Sequence, residues 1–263
     1  TLVAHTALFR VSMCAISGSN HFVVDTGMGN ARPGENVFVI GDGEGSGGVT
    51  DTHSDAAVLQ IPEINIDPNY MPDIAIVCFS MSGGTGSFIG PYVTKYFLSK
   101  GIQCIGIAVM DSCSTLQGRN TLSALGNLDA LASKSGRTLP LMVFNNVDTP
   151  QSILDPIIAK KGAMLVRALT AETMEVDRND RRNFLNNVIT HEAKPGLALI
   201  NVYEGSTQED IKQPLFPTGT TALYESLLHI RGGNGTTRSD FEGIPKLTHF
   251  RKDGYYLNGG AAT

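Results

Sequence analysis

Tryptophan is absent from this chain, charged residues are scarce, and no long apolar run or paired-cysteine motif occurs in it. Each absence removes a class of protein. With charged residues at 17% and a net charge of −5, there is no basic face for nucleic acid and too little charge for a disordered acidic chain. No stretch approaches the roughly 18 to 20 apolar residues that span a bilayer. The opening TLVAHTALFR also lacks the basic, apolar and small-residue regions of a signal peptide, so a reducing cytoplasm is the expected compartment. Cys14, Cys78, Cys104 and Cys113 have no CxxC spacing, which argues against a disulfide framework or a zinc site. Cys78 and Cys104 stand inside apolar runs and read as small core residues. What is present is an ordinary apolar fraction, 41% of 263 residues, enough for one large or two small domains.

The first half alternates apolar runs with helix-like text. HFVVDT, NVFVI, DIAIVCFS, IQCIGIAVM and LPLMVFN are runs of the kind buried on both faces of a parallel sheet. Between the third and fourth, Phe88, Tyr92, Tyr96 and Ile89, Val93, Phe97 recur at helical spacing, with Gly101 at the stop. Strand, glycine loop, helix, strand is a βαβ unit. RNTLSALGNLDALASK predicts a further helix. A long one follows the fifth strand, with Asp148 or Thr149 as N-cap, Pro150 at its first position, and an apolar stripe of Ile153, Ile157, Met164, Leu165 and Leu169. RNDRRNFLNNVIT predicts another helix, and LALINVYEG, ALYESLLHIR and KLTHFRKDGYYL read as strands. The expected architecture is an α/β half with a parallel sheet over 1–148, a long helix over 149–173, and a smaller α/β half over 174–263.

In βαβ sheets the ligand site lies at the carboxyl ends of the strands. CFSMSGGTGSFIG is placed there. Gly83, Gly84 and Gly86 would let backbone amides approach phosphate oxygens, the helix dipole would favour the charge, and Ser82, Thr85 and Ser87 would add hydroxyls. The other reading is a tight strand-to-helix turn. No lysine follows Gly86 before Lys95, which excludes a Walker A loop; GGTGSFIG comes after a late strand and has no acid about 20 residues on, unlike a dinucleotide fingerprint, and no GxSxG nucleophile elbow occurs. A second loop, GDGEGSGG, with Gly45 and Gly47, follows the second strand and reads equally as the other wall of a polyphosphate site or as a surface loop. Asp25, ending HFVVD, can hold Mg²⁺ through water or cap a turn.

SGGTGS resembles the signature loop of the tubulin/FtsZ superfamily. The longer PDIAIVCFSMSGGTGSFIGPYVTKYFLSKG, followed by STLQGRNTLSAL, is similar to the phage-encoded branch of tubulin-like proteins, the PhuZ or phage TubZ type, over about residues 20–190. The resemblance implies a Rossmann-like GTPase domain, a long central helix and a smaller C-terminal domain. It implies GTP or GDP with Mg²⁺ as ligands. Asn146 in VFNNVD and Asp155 in the central helix would read guanine, although a first-turn acid also suits the helix dipole. Asp111, Ser112 and Arg119 would lie by the ribose.

Family members also carry two acids at a spacing of three after the central helix, completing the GTPase site of the next subunit. MEVDRNDRRNF offers Asp177 and Asp180 within a loop at 174–181. As bare letters they are helix-capping acids; the resemblance makes them catalytic. Two features depart from the pattern: TLVAHTALFR has no counterpart of the family's first phosphate glycine motif, and TMEVD lacks the usual Asn. The implied function is a GTP-hydrolysing cytoskeletal filament that positions phage DNA or virions in the host bacterial cytoplasm. Its partners would be further copies of itself and phage DNA-segregation or capsid components, with no membrane and no direct nucleic-acid contact. The alternative is a monomeric α/β nucleotide- or dinucleotide-binding enzyme.

Overall fold

The computed structural model describes residues 22–27, 37–50, 52–64, 72–110, 114–146, 149–170, 196–204, 250–252 and 255–260. Two short strands come first, β1 (Val23–Asp25) and β2 (Val37–Val39), paired in parallel as a ladder of their own. They are followed by α1 (Ser54–Gln60), a helix too short to show a period in the text. Next come β3 (Ile74–Ser80), α2 (Gly84–Ser99), β4 (Gln103–Met110), α3 (Thr115–Ser135) and β5 (Thr138–Asn145). The long α4 (Gln151–Thr170) leads to β6 (Gly196–Glu204), β7 (Phe250–Lys252) and β8 (Tyr255–Gly260).

Strands β3 to β6 lie side by side in parallel, and β8 and β7 extend the sheet antiparallel in the order β3-β4-β5-β6-β8-β7. All five strands expected in the first half are present, but they do not share one sheet, because among the described residues three-residue β1 and β2 form a ladder only with each other. The described strands of the last third continue the main sheet. The boundary expected at 173/174, the helix expected in RNDRRNFLNNVIT and the strand expected in ALYESLLHIR lie outside the described residues.

Alternation along β3 and β4 divides the core between two faces. Ala75, Val77 and Phe79, with Cys104, Ala108 and Met110, pack with Phe88, Ile89, Val93 and Phe97 of α2 and Ala124, Leu125 and Leu128 of α3. On the other face Ile76, Cys78, Ile105, Ile107 and Val109 meet Leu154, Ile158, Leu165 and Leu169 of α4. Helices therefore cover both faces, and every residue of β4 is buried. Both described cysteines are core residues as expected, and burial pushes their thiols up, Cys104 to about 12, so neither is a thiolate at neutral pH.

Helix ends follow local chemistry. α3 begins earlier than its apolar period suggests because Ser114 Oγ accepts from the Gln117 amide at 3.2 Å. In α4 the Pro150 carbonyl accepts from Ile153 and Leu154 at 2.9 and 3.0 Å, so Pro150 precedes the first helical residue instead of occupying that position. The buried stripe of α4 also differs from the expected one. It runs through Leu154, Ile158, Leu165 and Leu169, while Ile153 is 55% exposed. Positions 154, 158, 165 and 169 fall on one line of a 3.6-residue helix, and Ile153 sits about 100° around from it.

Lys161 is fully buried on α4. Burial, and then the charge of Lys160, push its amine down to about 8. The unfolded chain therefore binds more protons than the folded one between that value and the ordinary lysine range, and stability rises as pH climbs through this window. In urea melts, replacing Lys161 with Met should flatten the rise in stability between about pH 8 and pH 10; an unchanged slope would place the titration elsewhere. Ile158→Ala should cost about 2 to 5 kcal/mol, whereas Ile153→Ala should stay within about 0.5 kcal/mol. Equal costs from the same melts would overturn the register given for α4.

Candidate functional site

The carboxyl ends of β1, β2 and β3 converge although they belong to separate ladders. Thr26, fully buried just after β1, accepts the Gly45 amide on its carbonyl at 2.9 Å, and Gly27 forms an isolated bridge with Glu44. Its hydroxyl lies 2.6 Å from Thr85 Oγ1, which is also 3.1 Å from Ser46 Oγ. Three loops far apart in the chain thus meet at the first turn of α2. Beneath them His53 Nε2 is 3.0 Å from the Gly45 carbonyl and 3.7 Å from Asp42 Oδ1.

Gly84 and Gly86 are required by close approach. A Cβ on Gly84 would lie 2.6 Å from the Gly48 carbonyl carbon and collide with Ser46 Oγ; one on Gly86 would lie 2.9 Å from the Ser80 nitrogen and collide with the Ser80 carbonyl. These two glycines seat the helix against the strand end and the other loop, a more specific use than clearance for a ligand. At the N-cap, Gly83 is extended and offers no side-chain cap, and the first turn holds no acid. The Gly83 amide donates to Ser80 Oγ at 3.2 Å, and because the first helical bond runs from the Ser87 amide to the Gly83 carbonyl, the amides of Gly84, Thr85 and Gly86 have no helical carbonyl partners. Thr85 and Gly86 are half-buried, so an anion can reach this end of the helix dipole.

The expected hydroxyl donors have different fates. Ser87 is fully buried and its hydroxyl donates to the Gly84 carbonyl at 3.0 Å, inside the helix. Ser82 is buried, with its hydroxyl 3.1 Å from Ser80 Oγ. Thr85 meets both Thr26 and Ser46, whereas Ser87 Oγ reaches only Thr50 of the other loop, at 3.3 Å. Gly45 and Gly47 stand at φ +90° and +58° with open space around a would-be Cβ, while Ser46 between them is buried. Asp25 Oδ1 accepts from the Thr26 and Gly27 amides at 2.7 and 3.3 Å, the turn-capping alternative raised for it.

Farther along, Arg119 is exposed on the first turns of α3. Asn146 follows β5; its backbone amide donates to the Met110 carbonyl at 2.9 Å, and its buried Oδ1 has no hydrogen-bond partner among the described residues. Asp155 is 4% exposed, one turn into α4. Asp111, Asp177 and Asp180 lie outside the described residues. Among the described residues no group of three acidic, histidine or cysteine side chains could hold a metal ion, and no helix is long and apolar enough to cross a membrane. Sequence reading passed over Thr26, Ser46, Thr50 and Asn120, all of which tie the loops together. An isolated polar residue at a strand end or in a helix carries no signal for such a role.

No family model and no curated protein matches this sequence. Solved structures do. TubZ from bacteriophage PhiKZ is 23% identical in a protofilament, with a TM-score of 0.67 over 76% of this chain and 66% of that one, so the match spans just under two thirds of that chain's length. The monomeric subunit of the same TubZ is 18% identical, with a TM-score of 0.72 over 99% of this chain and 90% of that one. Phage tubulin PhuZ with GDP is 21% identical, with a TM-score of 0.69 over 81% of this chain and 69% of that one. FtsZ from M. jannaschii is 19% identical, with a TM-score of 0.59 over 84% of this chain and 67% of that one. The α/β architecture with its parallel strands, glycine loops and long central helix is thus the tubulin/FtsZ fold, in a form similar to that of the phage tubulins.

Proposed function

We propose that this chain is a GTP-dependent polymerising protein of the tubulin type, phage-encoded, whose filaments position phage DNA or virions in the host bacterial cytoplasm. The observation that carries the reading is the uncapped first turn of α2, enclosed by three loops joined through Thr26, Thr85 and Ser46. A helix start with open amides, no first-turn acid and half-buried access is suited to phosphate oxygens. Likeness to a phage tubulin solved with GDP and to a TubZ protofilament supports the guanine nucleotide and the self-association.

In this reading Ser82 to Ser87 and the loop of Gly45 and Gly47 form the phosphate cradle, with Thr85 and the amides of Gly84, Thr85 and Gly86 as the direct contacts. Ser82, Gly83 and Ser87 shape the turn, because the Ser82 and Ser87 hydroxyls and the Gly83 amide each have a hydrogen-bond partner within it. Asp111 and Arg119 would take the ribose. The orphaned Oδ1 of Asn146 suits the N–H edge of guanine, with Asp155 as the second reader. Mg²⁺ would be held chiefly by the nucleotide's phosphates, with Asp25 reached through water, since its Oδ1 already serves two backbone amides. The ion would neutralise phosphate charge. Asp177 and Asp180 of one subunit would orient the attacking water at the cradle of the next, so that turnover requires a filament junction.

Light scattering should rise when GTP and Mg²⁺ are added and stay flat with ATP or NAD. Flat traces with every nucleotide, together with cofactor-linked turnover by the monomer, would favour a nucleotide-binding enzyme instead. Asp180→Ala should bind GTP as the parent does, lose at least about a hundredfold in phosphate release, and leave filaments that persist after GTP is consumed in the parent sample. Parent-like phosphate release under polymerising conditions would remove Asp180 from the mechanism.

A further inference from the structure

We infer that Asn120 is a positioning residue that holds the two glycine loops as one unit; its functional half rests on the nucleotide reading above. Asn120 belongs to neither loop. It lies in the second turn of α3 and is only 5% exposed. Its Nδ2 donates to the Gly48 carbonyl, at the end of the first loop, and to the Ser82 carbonyl, at the entry to the second, both at 3.0 Å. Oδ1 accepts from Thr50 Oγ1 at 2.6 Å, and that hydroxyl is 3.3 Å from Ser87 Oγ.

This use of the carboxamide allows one orientation. Both Nδ2 hydrogens meet carbonyl oxygens and the oxygen meets a hydroxyl; a flipped amide would set its oxygen against two carbonyls. Among the described residues no backbone hydrogen bond joins residues 41–50 to residues 80–87, so side chains carry the connection. Ser46 with Thr85 and Thr50 with Ser87 are single hydroxyl contacts, whereas Asn120 bonds to both loops at once. The Ser114 cap fixes the start of α3 and with it the register that delivers Asn120 to the gap. Arg119, the proposed ribose contact, is the adjacent residue, so the same joint ties the ribose side of the site to the phosphate side. Preorganised in this way, the loops lose little freedom when a polyphosphate enters.

The test compares Asn120→Asp, which replaces the two donors with a carboxylate facing two carbonyls, with Asn127→Asp, an exposed change on the same helix. Asn120→Asp should raise amide hydrogen exchange in 44–50 and 81–87 together, by about tenfold, in the nucleotide-free protein. It should also weaken GTP binding by about tenfold, while Asn127→Asp matches the parent in both readouts. Thr50→Val, which removes the bond to Oδ1 and the contact with Ser87 Oγ but keeps both Nδ2 bonds, should loosen the same two segments to a smaller extent; Asn120→Ser, which removes the amide without adding a charge, decides the matter if Asn120→Asp does not fold. Faster exchange in one loop alone, or in neither, would overturn the joint. Parent-like GTP affinity with both loops loosened would overturn the positioning role. A parent protein without GTP affinity would sink the nucleotide reading, and exchange would still decide whether Asn120 joins the loops.

Discussion

The first turn of α2 is seated so tightly that two of its residues can carry no side chain. Gly86 rests on the backbone of Ser80 at the end of β3, and Gly84 on Ser46 and Gly48 of the loop after β2. That seat decides where the helix axis points and which amides remain open. It also brings Thr85 to Thr26 and Ser46, which closes the three loops around the helix end. A larger residue at either glycine would push the helix off the strand and separate the loops, so the fold and the candidate site depend on the same contact.

The seat is rigid because the sheet behind it is covered on both sides. β3 and β4 send alternate side chains to α2 and α3 on one face and to α4 on the other, and β4 has no exposed residue. A strand held from both faces has little freedom to shift along its own axis. Its carboxyl end therefore presents Ser80, Met81 and Ser82 in a fixed position, with Met81 itself tied to the Val109 carbonyl at 2.7 Å. On the opposite face α4 carries Asp155 and Lys161 into burial, a cost that Leu154, Ile158, Leu165 and Leu169 offset through apolar contact.

Much of this is written locally. The five apolar runs, the helical period from Phe88 to Phe97 and the glycine loop between run and helix each rest on neighbours a few residues apart, and each appears where the text puts it. Where the local signal was ambiguous the outcome differed. Ile153 and Leu154 are both apolar at the start of α4, and only contact with the sheet selects Leu154. Ser87 looks like a loop hydroxyl, yet once α2 begins at Gly84 it falls on the inner face and bonds within the helix. Asn120 gave no signal, because its partners stand 72 and 38 residues away.

The sequence by itself determined the five strands of the first half, the helix after the glycine loop and the place of that loop: continuous valine- and isoleucine-rich runs can be buried on both faces, and SGGTGS between such a run and an amphipathic stretch must lie at a strand's carboxyl end. Only the tertiary structure decided which hydroxyls meet, which glycines are needed for contact, and that a helix outside both loops joins them. The reason is range. Periodicity and capping act over a few residues, whereas Thr26 to Thr85, Ser46 to Thr85 and Asn120 to Gly48 are set by how packed elements are brought together.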